Sequence, residues 1–93
     1  MDMSYKICKY VFGLDNMIQI AMPGGSKILK IGRNPGHPKG TYCMWALVLT
    51  ENPIVERRFR IYGTGHEIEG LTGLNYISTV IDYFYVWHFF EVI

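Results

Sequence analysis

Nine Lys or Arg and eight Asp or Glu in 93 residues leave a net charge of +1. The molecule as a whole therefore has no field to draw in DNA or an anionic membrane, and any anion recognition must be local. A domain of this length buries only about two-thirds of its unfolded surface. Yet seven Tyr, five Phe and two Trp supply much apolar area, so either the core is densely aromatic or some of that surface meets a second copy. Two cysteines with no CxxC or Cys/His cluster, and no basic and apolar leader, point to free thiols in a reducing cytoplasm. The most apolar stretch, Tyr76 to Ile93, is broken by Asp82, His88 and Glu91 and should not span a membrane.

In chain order, Tyr5 to Phe12 mixes β-branched and aromatic residues with lysines and reads as a first strand. Gly13 to Asn16 reads as a turn and Met17 to Met22 as a second strand, the two forming a hairpin that ends at Pro23-Gly24-Gly25. Lys27 to Arg33 is a third strand, closed by Asn34 to Thr41, where two Pro, two Gly and an Asn forbid regular structure and make an exposed loop. Tyr42 to Thr50 is apolar on both alternating faces, as a central covered strand requires. After a turn at Asn52-Pro53, Arg57 to Tyr62 returns as a strand, followed by a glycine-rich loop from Gly63 to Asn75 in which Glu67 to Asn75 has room for one short helix. Tyr76 to Ile81 and Tyr83 to Val92 form a terminal hairpin about Asp82. The expectation is a single all-β domain over 1–93, a small antiparallel sandwich or partly open barrel of about six to seven strands.

The strand and loop from Arg57 to Ile68 carry the clearest chemistry. Alternation puts Arg57, Phe59 and Ile61 on one face and Arg58, Arg60 and Tyr62 on the other. Two guanidinium forks beside an aromatic ring suit a phosphate and a base. The plainer alternative is a solvated face with ion pairs to Glu51, Glu56 or Glu69. Next come Gly63, Thr64, Gly65 and His66. Glycines there admit the geometry of an amide nest for an anion, but equally a tight turn. P-loop and dinucleotide fingerprints are absent. The final strand is greasy on both faces, one face for the core and the other for a second copy or for the domain's own interior, where His88 would be a satisfied core residue.

Catalytic patterns are missing. His37, His66 and His88 have no metal-ligand spacing, no GxSxG elbow occurs, and neither cysteine has an adjacent histidine. These absences favour a binding protein without cofactor or metal over an enzyme.

The succession Met22-Pro23-x-Gly25-x-Lys27-Ile28-Leu29, Trp45-Ala46-Leu47-Val48, Arg57 to Ile68, Tyr76-Ile77 and Val86-x-His88-x-Phe90-Glu91 resembles a family of phage proteins of about this length, over nearly the whole chain. The Arg-rich strand with its Gly-Thr-Gly-His loop and the Trp45 segment are the most specific parts. This chain departs from the family in having Asp82-Tyr83 where a short Gly-Gly turn is usual, and a longer loop from Asn34 to Gly40. That family is of uncharacterised function, but small phage proteins of this kind include immune-evasion sponges, so the expectation drawn from the resemblance is sequestration of a nucleotide second messenger, a cyclic dinucleotide or an ADP-ribose-like signal, without turnover. In that scheme Arg58 and Arg60 neutralise phosphates, the Gly63 to Gly65 amides and the Thr64 hydroxyl donate, and Tyr62 or Tyr42 stacks on a base, with pockets between subunits of a dimer or tetramer; His66, read from its place in the loop alone, is a partner for a phosphate or for Glu67, or simply an exposed polar residue. Two rivals stand beside it: an inhibitor of a host defence complex acting by protein contact, and a nucleic-acid binder, which the short basic stripe and low charge disfavour.

Overall fold

The computed structural model describes residues 4–37 and 40–93. Seven strands run β1 (Tyr5–Gly13), β2 (Met17–Pro23), β3 (Lys27–Arg33), β4 (Thr41–Leu49), β5 (Ile54–Gly63), β6 (Leu74–Asp82) and β7 (Tyr85–Val92). They form two antiparallel sheets, one ordered β1-β4-β3 and the other β2-β5-β7-β6. The sheets pack face to face as an open sandwich, not a closed barrel. Among the described residues there is no helix: 66–73 is loop and turn. The short helix expected in Glu67 to Asn75 does not form, because Gly70 and Gly73 interrupt a stretch with no apolar helical stripe.

The expected β1–β2 hairpin is also corrected. β1 pairs with β4, placing Tyr10 opposite Met44, while β2 pairs with β5, placing Ile18 opposite Phe59. The chain changes sheet at Leu14 to Asn16. The reason is burial: Ile18, Ile20 and Met22 alternate into the interior from the second sheet, and direct pairing with β1 would have kept both strands in one layer. β4 is the centre of the smaller sheet, as its composition predicts.

The core lies between the sheets. Tyr42, Met44 and Ile31 enter from one layer, and Met22, Phe59, Ile61, Val80 and Phe89 from the other. Met22, Met44, Phe59 and Phe89 are fully buried. Phe12 packs flat toward Tyr42 (6.2 Å) and edge-on to Phe89 (5.9 Å), tying the layers together.

Polar interior groups sit toward the two ends of β7. Near its C-terminal end, Arg57 makes a two-pronged ion pair with Glu91, Nε to Oε2 at 2.6 Å and Nη2 to Oε1 at 2.7 Å. Arg57 also donates to the Ser26 carbonyl. Near the other end, Tyr42 donates to Asp82 Oδ2 at 2.5 Å, and Arg33 reaches Asp82 Oδ1 at 3.2 Å. The loop from Asn34 is closed by the Asn34 N–H donating to the Thr41 carbonyl at 2.9 Å, with Asn34 itself buried. Pro38 and Lys39, part of the loop expected to be exposed, lie outside the described residues.

Candidate functional site

The outer face of the four-stranded sheet is built by register. β5 and β7 align Arg60 with Phe90 and Tyr62 with His88. β6 then adds Tyr76 opposite Phe90 and Thr79 opposite His88. A bulge between Tyr76 and Ser78 lets Ile77 turn into the core while keeping Tyr76 and Thr79 outside. On the other flank β2 brings Gln19 opposite Arg58 and Met17 opposite Arg60.

The result is a basic and aromatic surface. Tyr62 and Tyr76 both stand edge-on to Phe90, at 5.7 and 5.6 Å, so the three rings brace one another. Arg58 and Arg60 are exposed, and among the described residues no carboxylate lies within ion-pair distance of either. The ion pairs considered with Glu51, Glu56 or Glu69 are not made. Glu51 instead accepts from the Ser4 amide, and the one strongly paired arginine of β5 is Arg57, on the inner face. Hydrogen bonding to Glu91 raises the Arg57 pKa against the opposing effect of burial.

A line of hydroxyls and one imidazole crosses the same face. Thr64 Oγ1 lies 2.8 Å from His88 Nε2, Thr79 Oγ1 3.0 Å from His88 Nδ1, and the Tyr76 hydroxyl 2.7 Å from Thr79 Oγ1. Both ring nitrogens are thus engaged, which fixes the ring plane. His88 is a half-exposed residue of the outer face rather than the satisfied core histidine that one reading of β7 predicted.

The connection from β5 to β6 roofs part of this surface. Those strands run the same way with β7 between them, so residues 64–73 must return the length of the sheet. The groove beneath has a volume of about 610 Å³, with Arg60, Tyr62 and Val92 on its floor and Glu67, Glu69 and Thr72 on its rim. The rim carboxylates oppose an anion at Arg60, whereas Arg58 stands outside the groove's lining.

The Gly63 to His66 segment takes the form of a self-contained turn. The Gly63 amide donates to His66 Nδ1 at 3.1 Å, and the His66 amide donates to the Gly63 carbonyl at 3.1 Å. The Thr64 amide donates to the Val86 carbonyl at 3.3 Å. Two of the amides expected to face a ligand are therefore already engaged. Gly65 adopts φ +90°, which favours glycine there, and a Cβ on Gly63 would lie 2.9 Å from the exposed His66 ring, which would have to shift to admit it. His66 is exposed. Tyr42, the alternative stacking ring, is 2% exposed and belongs to the core.

The structure thus places Arg58, Arg60 and Tyr62 on one face, with Thr64 reaching it through His88, and sets Gly63, Gly65 and His66 at its end as a turn. It adds Phe90, Tyr76, Thr79 and His88. Alternation in β7 pairs His88 with Phe90 on one face, but only the strand register reveals that this is the face of Arg58 and Arg60. No group of three or more His, Cys, Asp or Glu suited to a metal occurs among the described residues. Cys8 and Cys43 are free thiols, and burial pushes the Cys43 thiol up, with Lys9 opposing.

A family model for a domain of unknown function, DUF7352, matches residues 3–93. The chain belongs to that family. The family's domain therefore contains both the outer face and the turn beside it, and its description brings no activity with it. No curated protein and no solved structure matches the chain significantly.

Proposed function

We propose that this protein binds a nucleotide-type ligand on the outer face of the β2-β5-β7-β6 sheet and sequesters it without turnover. One observation carries the reading: Arg58 and Arg60 are exposed, without carboxylate partners among the described residues, beside the braced rings of Tyr62, Phe90 and Tyr76. Two guanidinium groups on one face that no carboxylate neutralises are free to donate in pairs to the oxygens of an anion. The rings give a base a surface to stack on. In the setting implied by the resemblance to small phage proteins, the ligand is a signal of host immunity, a cyclic dinucleotide or an ADP-ribose-like molecule, captured in the host cytoplasm by a dimer or tetramer.

Calorimetric titration with cyclic di-AMP and ADP-ribose tests this. Saturable binding to at least one is expected, weakened tenfold or more in Arg58→Ala/Arg60→Ala, with the nucleotide recovered intact after heating the complex. Recovery of altered nucleotide makes the protein an enzyme, and absence of binding to both overturns the reading.

One observation favours a second reading, an inhibitor that acts by contact with a host defence complex. Ile81, Tyr83, Phe84 and Tyr85 expose 71%, 58%, 96% and 61% of their surface at the β6–β7 tip. Capture of a defence complex that Phe84→Ser abolishes, with no nucleotide binding, would establish it.

A further inference from the structure

The three strands of the smaller sheet contain no acidic residue. β1, β3 and β4 carry Lys6, Lys9, Lys27, Lys30 and Arg33, whereas every Asp and Glu of the chain lies elsewhere, in the larger sheet, in the connections or ahead of β1. The small net charge therefore conceals a segregation between the two layers. Charge asymmetry of this kind points to a polyanionic partner.

Register sorts these strands into two faces. Tyr10, Phe12, Met44 and Ile31 turn toward the core. The outer face is laid out in rows across the strands: Ile7, Leu47 and Lys27 form one, and Lys9, Trp45 and Lys30 the next. Tyr5 beside Leu49 and Val11 beside Cys43 extend it to either end. Tyr5, Ile7 and Val11 expose 61%, 63% and 56% of their surface, while Trp45, Leu47 and Leu49 are half-buried. The indole of Trp45 lies down over Gly32, where a Cβ would come within 3.9 Å of the ring and 3.8 Å of the Lys30 chain. None of Lys9, Lys27 and Lys30 has an ion-pair partner among the described residues. The face is thus a sheet of aliphatic groups, indole, phenol and ammonium groups with no carboxylate or side-chain amide.

That composition chooses among polyanions. Protein interfaces favour arginine and deplete lysine. Single-stranded nucleic acid needs successive rings for its bases, and Trp45 and Tyr5 are the only rings on this face. Two copies meeting here face to face would set lysine against lysine. Aliphatic side chains with an indole, and lysines whose stems lie along apolar surface, suit the boundary between lipid headgroups and acyl chains. Anionic headgroups supply the countercharge.

We propose that the outer face of the β1-β4-β3 sheet docks onto an anionic lipid bilayer, with Ile7, Val11, Trp45 and Leu47 at headgroup depth and Lys9, Lys27 and Lys30 against the lipid anions. It lies on the opposite side of the sandwich from Arg58 and Arg60, so the inference does not rest on the nucleotide reading.

Flotation at low salt with vesicles of equimolar phosphatidylcholine and phosphatidylserine tests the proposal. The protein should float with these and not with phosphatidylcholine alone. Lys9→Glu/Lys30→Glu should weaken binding by about tenfold or more, because each lysine at an anionic surface contributes about fivefold. Acyl-brominated lipid in the same vesicles should quench emission in the unaltered protein, and that quenching should vanish in Trp45→Phe. Arg58→Ala/Arg60→Ala should float unchanged. No flotation with the anionic vesicles, unweakened flotation of Lys9→Glu/Lys30→Glu, or quenching that survives in Trp45→Phe overturns the proposal. Self-association or capture of an acidic protein that Lys9→Glu/Lys30→Glu abolishes, without flotation, makes this a protein interface and also overturns it.

Discussion

Arg57 shows how neighbouring residues of one type acquire opposite roles. It and Arg58 are adjacent, but the pleat sends Arg57 inward to Glu91 and leaves Arg58 in solvent. Glu91→Ala removes one half of a largely buried pair, with side chains 19% and 18% exposed, and should cost about 3 kcal/mol in urea unfolding. Gly63→Ala should push the exposed His66 ring aside at little cost in stability and release the Gly63 amide from His66, visible as loss of that amide's hydrogen-exchange protection. Tyr42 carries the alkaline response. Burial first, then the Asp82 carboxylate, pushes its phenol up to about 12. The folded protein thus holds that proton more tightly than the unfolded chain, whose tyrosine ionises near 10. The associated stability is complete below pH of about 10 and falls progressively as pH rises through about 12. The fall in urea midpoint between those limits should be smaller in Tyr42→Phe; an unchanged fall would remove Tyr42 as its source. Tyr10, raised by burial and by Cys8, contributes in the same direction.

At the level of elements, β5 and β7 supply most of what distinguishes the two faces of their sheet. Phe59 and Phe89 fill the interior with no exposed surface, while Arg60 and Phe90, the next residue in each strand, stand on the opposite face. Phe89→Ala should therefore cost about 3 to 5 kcal/mol, whereas Phe90→Ala should cost less and weaken ligand stacking instead. The crossover 64–73 is an electrostatic rim. Glu67 and Glu69 share the groove with Arg60, so Glu67→Gln/Glu69→Gln should strengthen nucleotide binding by about two- to fivefold, the scale of exposed charge effects. The gain should shrink at high salt. An unchanged affinity would place the phosphate outside this groove, toward Arg58.

For the whole molecule, topology matters more than charge. The first strand pairs with the fourth and the second with the fifth, so neither sheet can close from sequential hairpins alone. Such non-local β pairing predicts single-domain folding on a millisecond-to-second scale; stopped-flow refolding completed within microseconds would contradict it. A net charge of +1 gives little long-range steering. No helix among the described residues is long and apolar enough to cross a membrane.

Much was legible from local chemistry. Alternation in Arg57 to Tyr62 separates Phe59 and Ile61 from Arg58, Arg60 and Tyr62, and the turn chemistry of Asn52-Pro53 and the apolar run of β4 mark their elements, because strand period and turn geometry act over a few residues. The β1–β2 hairpin failed because adjacency in sequence does not say whether two strands share a layer; burial of Ile18, Ile20 and Met22 against the opposite sheet decides it. The Gly-Thr-Gly-His segment was legible as a turn or as a nest, and it is the partners of the Gly63, Thr64 and His66 amides, His66 Nδ1 and the Val86 and Gly63 carbonyls, that make it a turn. By itself the sequence determined an all-β chain with an arginine pair displayed beside a tyrosine. Tertiary structure decided that Phe90, Tyr76, Thr79 and His88 join that face, and that Lys9 and Lys30 flank Trp45 on the smaller sheet, because register and sheet packing are set by contacts between residues far apart in the chain.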